Sequence, residues 1–406
     1  MIINIPKDVN RIITSLRQSG AKAYAVGGAV RDSILGREIN DWDVTTDFTA
    51  DKVKEIFSDY RTVDTGIKHG TVTVIIDREP VEVTTFRIDG GYSDNRHPDT
   101  VTFTPRLEDD LERRDFTVNA LAYNDSEGLI DLHGGLEDLK NGIIRCIGDP
   151  DRRFNEDGLR ILRALRFASQ LGFVIEENTA KSIVKNFALL GNISAERISK
   201  ELFGLLGSQG AAKTIKEFPQ VFSGILPELA PTFENSIDTA VQSLQKCDNI
   251  AEHRLAALIV IAGRTGDETL LKLKLSNDTQ KRIKNLVECA SIRLDALNET
   301  AFLKKLGSLG KDASLDALSF LTSLYGTDRS VIEKAEKVFE SGKCITVNQL
   351  AVNGKDITAF TGVTGKAVGD TLNALLDMVI ENKTQNEKTA LLNAAQTLDI
   401  RRNGND

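Results

Sequence analysis

The 406-residue chain is short of several things, and each shortage closes off a class of explanation. Its four cysteines, Cys146, Cys247, Cys289 and Cys344, are widely scattered and form neither a CxxC pair nor a Cys/His ligand spacing. That excludes a disulfide framework and predicts reduced thiols in a cytoplasm. The four histidines, His69, His97, His133 and His253, form no ligand cluster. No apolar run approaches the roughly 18 residues of a membrane span, so no membrane partner is expected. The opening Met-Ile-Ile-Asn-Ile-Pro-Lys-Asp lacks a basic stretch followed by an apolar one, so no secretory signal is expected either. Positive charge is not in excess: 51 Lys and Arg face 59 Asp and Glu, a net charge of −8. Such a chain does not coat nucleic acid through its overall field, although a local basic groove remains open to it. There is no short-period repeat and no low-complexity segment. With 41% hydrophobic and 27% charged residues the composition is that of a soluble globular protein, and the length has room for two to four domains.

What is present divides near residue 148. Up to about 147 the pattern predicts a mixed α/β unit. An amphipathic helix at about 7–19 leads to a strand at 22–26, a glycine turn, a helix at 29–35 ending at Gly36, a strand carrying Asp41, and a helix at about 50–58. Strand signals come next at 71–76, 81–87, 101–104, 117–123 and 143–146, with a hairpin turn at Asp77-Arg-Glu-Pro80. The polar, glycine-rich stretch 89–98 reads as a long functional loop. Beyond 148 the chain is rich in Leu, Ala, Glu and Lys at helical spacing. Soft boundaries fall near 207–210 and 325–327, and 330–406 reads as a small helical domain.

The chemistry concentrates in the first unit. In Tyr24-Ala-Val-Gly27-Gly28-Ala-Val-Arg31-Asp32 an apolar strand runs into a double glycine and a helix. Gly27 and Gly28 let backbone approach phosphate oxygens with no Cβ in the way, and the next helix offers free N–H groups and a positive dipole end. The forked guanidinium of Arg31 could bind a phosphate there, or simply pair with Asp32. In Asp41-Trp42-Asp43-Val44 two carboxylates at i and i+2 share one face of a strand, about 6–7 Å apart, while Trp42 turns to the core. Such a pair can bridge two Mg²⁺ ions about 3.5–4 Å apart, the spacing of two-metal phosphoryl chemistry. Glu82, a charge among apolar strand neighbours, would complete a three-carboxylate site if its strand lies beside that of Asp41; otherwise it faces an edge.

Two further blocks carry charge in patterns. Leu107–Ala120 sets Arg113, Arg114 and Asp115 at the mouth of a strand; Arg114 suits a triphosphate oxygen and Asn119 a sugar hydroxyl, or the block is a capped helix end with surface ion pairs. In the segment 152–167, Asp157, Arg160, Arg163 and Arg166 recur every three residues of one expected helix, a stripe drifting over about half its surface. Such a stripe is either a solvated face or an acceptor and donor set for the polar edge of a base, with phosphates beyond. The segment Gly362-Val-Thr-Gly365-Lys366-Ala367 falls short of a P-loop, with Phe360 and Ala367 where Gly and Ser/Thr are needed.

Taken in order, these blocks resemble the class II tRNA nucleotidyltransferases, the bacterial CCA-adding enzymes, of the nucleotidyltransferase and poly(A) polymerase superfamily. The resemblance extends to Ser194-Ala-Glu196-Arg197-Ile198, to Leu350–Asp356 and to Asn386-Glu-Lys388. It implies an α+β chain with a mixed-sheet nucleotidyltransferase head (1–147), followed by an all-helical neck (148–207), body (208–329) and tail (330–406). It implies that Asp41 and Asp43 hold Mg²⁺, that Gly28, Arg31 and Arg114 meet the nucleotide, and that Asp157, Arg160, Arg163 and Arg166 act as an amino-acid template selecting CTP and ATP. The stretch Tyr92–Asp99 resembles the loop used in switching from C to A addition. The expected activity is addition of C, C and A to the 3′ end of tRNA with release of pyrophosphate. The rivals are a poly(A) polymerase, a CC-only or A-only enzyme, and an inactive RNA-binding protein.

Overall fold

The computed structural model describes residues 2–39, 41–91 and 100–403, so the expected loop at 89–98 falls largely outside the described residues, with His97 and Tyr92. The chain divides into two compact units, Met1–Val241 with Glu268–Leu275, and Gln242–Asp267 with Ser276–Asp406. The α+β expectation holds: a mixed sheet lies at the N-terminal end and helices make up most of the remaining chain.

Helix α1 (Lys7–Gln18) buries Val9, Ile12, Ile13 and Leu16 at helical spacing. The sheet uses strands β1 (Ala23–Val26), β2 (Asp43–Thr46), β3 (Arg61–Gly66), β4 (Thr71–Ile76), β5 (Glu79–Thr85), β8 (Leu121–Asn124) and β9 (Gly128–Asp131), in the order β3-β4-β5-β2-β1-β8-β9. A separate hairpin pairs β6 (Arg87–Gly90) with β7 (Thr100–Phe103). Among the described strands of the main sheet only β2 and β5 pair in parallel; its other pairings are antiparallel. Helices α2 (Gly28–Ile34) and α3 (Ala50–Ile56) flank β2 in the chain. Between β4 and β5 the turn is two residues long. Asp77 and Arg78 both take positive φ (48° and 76°) and Ile76 faces Glu79, the type I′ geometry that matches strand twist. One face of the sheet packs Tyr24, Val26, Ala120 and Ala122 against Leu107 and Leu111 of helix α4 (Leu107–Glu112).

Three local expectations are corrected. The second strand begins at Asp43, not Asp41, because its partner β1 ends at Val26, in register with Asp43, and the chain then turns away at Gly27. Residues 117–119 form a 3₁₀ turn before β8, because two contacts tie Thr117 to helix α5 (Gly135–Asn141). Thr117 Oγ1 donates to the buried Asp138 (2.6 Å), and the Thr117 carbonyl lies where a Cβ on Gly135 would stand. The expected helix through 152–167 is two helices, α6 (Pro150–Glu156) and α7 (Leu159–Leu171). Asp157 between them is extended (φ −142°), and a Cβ at Gly158 would stand 3.1 Å from that of Leu189, so the break is packed into the fold. Helices α8 (Glu177–Asn186) and α9 (Ala195–Leu206) come next, and α9 packs along α7.

The second unit carries helices and no strand among its described residues, with its longest helices at Asn277–Ser291, Lys311–Tyr325, Lys366–Ile380 and Lys388–Asn403. It holds a polar knot in which His253 is buried and its two partners are half-buried. His253 Nε2 lies 2.9 Å from Asp316 Oδ1, and Arg282 donates twice to the same carboxylate at 2.8 Å. Burial alone would raise the Asp316 carboxyl, but these donors hold it well below its ordinary range.

Candidate active site

The glycine turn is built by backbone geometry. Gly27 has φ 79° and ψ −134°, a combination costly for any residue with a side chain. Its N–H donates to the Leu121 carbonyl (3.1 Å), and its own carbonyl accepts from Arg31 N (3.1 Å) as α2 begins. A Cβ on Gly27 would stand 3.2 Å from Arg114 Nη1. The missing side chain is therefore what lets the Arg114 guanidinium lie on the turn. Arg114 Nε is buried with no hydrogen-bond partner among the described residues.

Beside this turn lies a row of acidic residues. Asp43 is in register with Val26 of β1 on one side and Glu82 of β5 on the other, with Thr73 of β4 beyond. In-register neighbours on adjacent strands are about 4.8 Å apart and project from the same face. Asp41, Asp43 and Glu82 are all exposed. No hydrogen bond or ion pair with the described residues engages their carboxylates. Partial desolvation raises the Asp43 carboxyl above its ordinary value, with Glu82 and Asp41 adding to the rise and Arg114 opposing it. Among the described residues no group of three or more His, Cys, Asp and Glu side chains closes to metal-holding geometry.

Beneath the row sits a residue that was not among the expected site residues. Asp110 of α4 is fully buried and accepts from Arg113 Nε (2.9 Å) and Nη2 (2.8 Å), Arg114 Nη2 (3.3 Å) and Thr45 Oγ1 (3.2 Å). Burial would raise its carboxyl, but Arg114 and Arg113 outweigh that and lower it. Asp110 thus ties both arginines to β2, two residues along from Asp43. The spacing was readable, since an Asp three and four residues before two arginines on a helix is the ion-pair pattern. Arg113 also reaches Asp89 of β6 (3.6 Å), and a polar cleft of about 160 Å³ opens there, lined in part by Arg113, Arg153 and Glu156.

The residues from 157 onward do not form one open stripe. Asp157 accepts from Leu159 N (3.0 Å) and from Arg197 Nη2 (2.8 Å). Arg160 is buried, bonded to Glu156 (2.6 Å) and to the carbonyls of Arg153 and Arg113 (both 3.2 Å). Arg163 donates to Asp115 (2.8 Å), and Arg166 to Glu201 and Gln170. Asp115 is buried, yet Arg163, Asn119 and Arg160 overcome that burial and hold its carboxyl at about 2. Arg31 does pair with Asp32 (2.7 and 3.0 Å), and it also donates to Asn119 Oδ1 (2.6 Å). Asn119 spends its amide nitrogen on Asp115 (3.0 Å), so both of its polar ends are engaged within the protein. Glu201, which binds the far end of this set, carried no signal in the sequence beyond its helical spacing.

Comparison with known proteins finds relatives over nearly the whole chain. Residues 23–145 match the family described as Poly A polymerase head domain, 172–235 the probable RNA and SrmB-binding site of polymerase A, and 250–395 tRNA nucleotidyltransferase domain 2. A CCA-adding enzyme of Geobacillus stearothermophilus is 38% identical over 386 residues, 93% of each chain. One of Pediococcus pentosaceus is 37% identical over 401 residues, covering 97% of this chain and 98% of the relative. The crystal structure of the Bacillus stearothermophilus CCA-adding enzyme in complex with CTP superposes with a TM-score of 0.85 at 33% identity, over 98% of both chains.

Proposed function

The chain belongs to the CCA-adding enzyme family, and from that premise we propose that it adds C, C and A, one at a time, to the 3′ end of tRNA from CTP and ATP. In each step the primer 3′-oxygen forms a bond to the α-phosphorus, the bond from that phosphorus to the bridging oxygen breaks, and pyrophosphate leaves. The observation that carries the reading is the row in which Asp43 and Glu82 stand in register, unpaired by any described cation, beside the Gly27 turn and Arg114.

We assign Asp41 and Asp43 to a divalent metal, Mg²⁺ by preference. The donor set fits: oxygen ligands suit a hard cation, and no hydrogen bond or ion pair with the described residues engages the Asp41, Asp43 and Glu82 carboxylates. When bound, the metal supplies Lewis-acid stabilisation of the developing charge. Glu82, in register with Asp43, completes a three-carboxylate row, and Asp41 or Asp43 takes the hydroxyl proton. Arg114, oriented by Asp110, and Arg31 offset charge on the triphosphate, which Gly27 and Gly28 admit to the backbone. Asp157 accepts from the exocyclic amino group of cytosine or adenine while Arg160 donates to the adjacent ring nitrogen. Uracil and guanine present the reverse pattern and are refused. Arg163 and Arg166 complete the nucleotide side. The expected head, neck, body and tail boundaries go with this division of labour, with body and tail contacting tRNA. The four buried free cysteines suit a cytoplasmic setting, and no helix among the described residues is long and apolar enough to cross a membrane.

The test is incubation of the full-length protein with Mg²⁺ and a tRNA transcript lacking its 3′ terminus. Two C residues from CTP alone, and one further A only with both nucleotides, establish the reading. A run of A residues from ATP alone makes the protein a poly(A) polymerase. A stop at CC makes it a partial enzyme, and no product makes it an RNA-binding protein.

A further inference from the structure

We propose that Phe167 is a positioning residue whose ring sets Arg31, Arg163 and Arg166 for the nucleotide; this rests on the assignment of those arginines to nucleotide binding. Phe167 lies in α7, almost wholly buried, and packs edge-to-face on Phe116 with centroids 5.9 Å apart. The guanidinium carbons of Arg166, Arg31 and Arg163 stand 4.2, 5.0 and 5.3 Å from its ring centroid. All three are inside the roughly 6 Å within which a cation is drawn to a ring's negative face. They come from two elements, α2 and α7, which the ring therefore ties together.

The hydrogen bonds around the ring show what it adds. Arg31 is held by Asp32 and Asn119, Arg163 by Asp115, and Arg166 by Glu201 and Gln170. Asn119 joins Arg31 to Asp115, and Arg163 Nη1 lies 3.8 Å from Glu201, so the circuit is continuous. Three cations meet three carboxylates, which lets three guanidinium groups crowd one ring without net repulsion. Every one of these bonds acts in the plane of a guanidinium, at its N–H edges. None restrains a guanidinium along the normal to its plane, where the attraction of an aromatic face operates. An aliphatic side chain of similar size would fill the space and supply no such attraction. Gly204 contributes to the same arrangement, since a Cβ there would come within 2.7 Å of Arg166 Cδ.

A packing role and an electrostatic one predict different responses to fluorination, which drains the negative face of the ring with little change in shape. In the full-length protein, Phe167 is replaced in turn by 4-fluoro-, 3,5-difluoro- and 3,4,5-trifluorophenylalanine, and KM and kcat are measured for CTP and ATP, with melting temperature as the check on folding. The expected result is a stepwise rise in KM for both nucleotides, reaching about fivefold, the factor corresponding to about 1 kcal/mol of lost cation–π attraction. The value of kcat stays within about twofold. Arg31→Ala and Arg163→Ala are measured alongside. A flat fluorine series, with the arginine variants raising KM about tenfold or more, overturns the positioning role of Phe167 alone. Arginine variants that leave KM unchanged overturn the assignment on which it rests.

Discussion

Arg197 Nη2 donates to Asp157 Oδ2 at 2.8 Å, joining the start of α9 to the break between α6 and α7. The other Asp157 oxygen accepts from Leu159 N, so the carboxylate proposed to read the base is fixed at both ends before any nucleotide arrives. Arg197→Met keeps much of the apolar stem and removes the donor. We expect C over U selectivity to fall about tenfold, within the range of one good donor–acceptor contact, while correct CTP is still incorporated. Misincorporation from UTP and GTP on a tRNA lacking CCA measures it, and unchanged selectivity would show that Asp157 needs no such anchor.

Gly27 and Gly36 separate two effects of adding a methyl group. Both take positive φ, 79° and 64°. A Cβ at Gly36 meets nothing within 4 Å, whereas one at Gly27 comes to 3.2 Å from Arg114 Nη1. Gly36→Ala should therefore cost about 1 kcal/mol of stability and leave nucleotide KM alone. Gly27→Ala should cost about 1–3 kcal/mol and also raise KM for CTP and ATP on the order of tenfold, because Arg114 must move. Denaturation midpoints and steady-state kinetics on the two variants decide it.

Asp43 illustrates a site that trades stability for chemistry. Its carboxyl is raised, so the charged form is disfavoured by desolvation and by Glu82 and Asp41. Asp43→Asn should melt at or above the temperature of the unmodified protein while losing at least about 10³-fold in incorporation rate. A variant that melts well below it would mean that the carboxylate is structural.

Much of this was legible in the chain, and the gaps have physical causes. β-Branched runs such as Thr71–Ile76 are strands at the expected bounds because alternation and propensity agree there. The Asp43 strand was recognisable but began late, since its start depends on where β1 ends, which no local pattern encodes. The break at Asp157 was masked by Leu159, Ile161, Leu162 and Leu165, whose spacing runs on smoothly from 152. Only Gly158 hinted at it, and its reason is Leu189, 31 positions away. Arginines 160, 163 and 166 were readable as a pattern, and Glu156 stands four residues before Arg160, but the partners of the other two are remote in sequence, Asp115 in the segment after α4 and Glu201 in α9. Pairing across elements is a tertiary fact.

The buried Asp115 carries the pH dependence of that pairing. Its carboxyl sits at about 2 when folded, below the ordinary value of 3.8, because Arg163 and Asn119 favour the charged form more than burial disfavours it. A lowered carboxylate contributes stability that is fully present above its unfolded value and is lost as pH falls toward the folded one. The window is therefore from about pH 4 down to about pH 2, and the contribution at neutral pH is about 2 kcal/mol by linkage. Asp115→Asn removes it and leaves Arg163 without its closest anion. Urea midpoints of the two proteins should differ most at pH 6–7 and converge as pH drops below 4. A difference that stays constant across that range would place the cost of Asp115→Asn in packing and hydrogen-bond geometry, with no share for the charge.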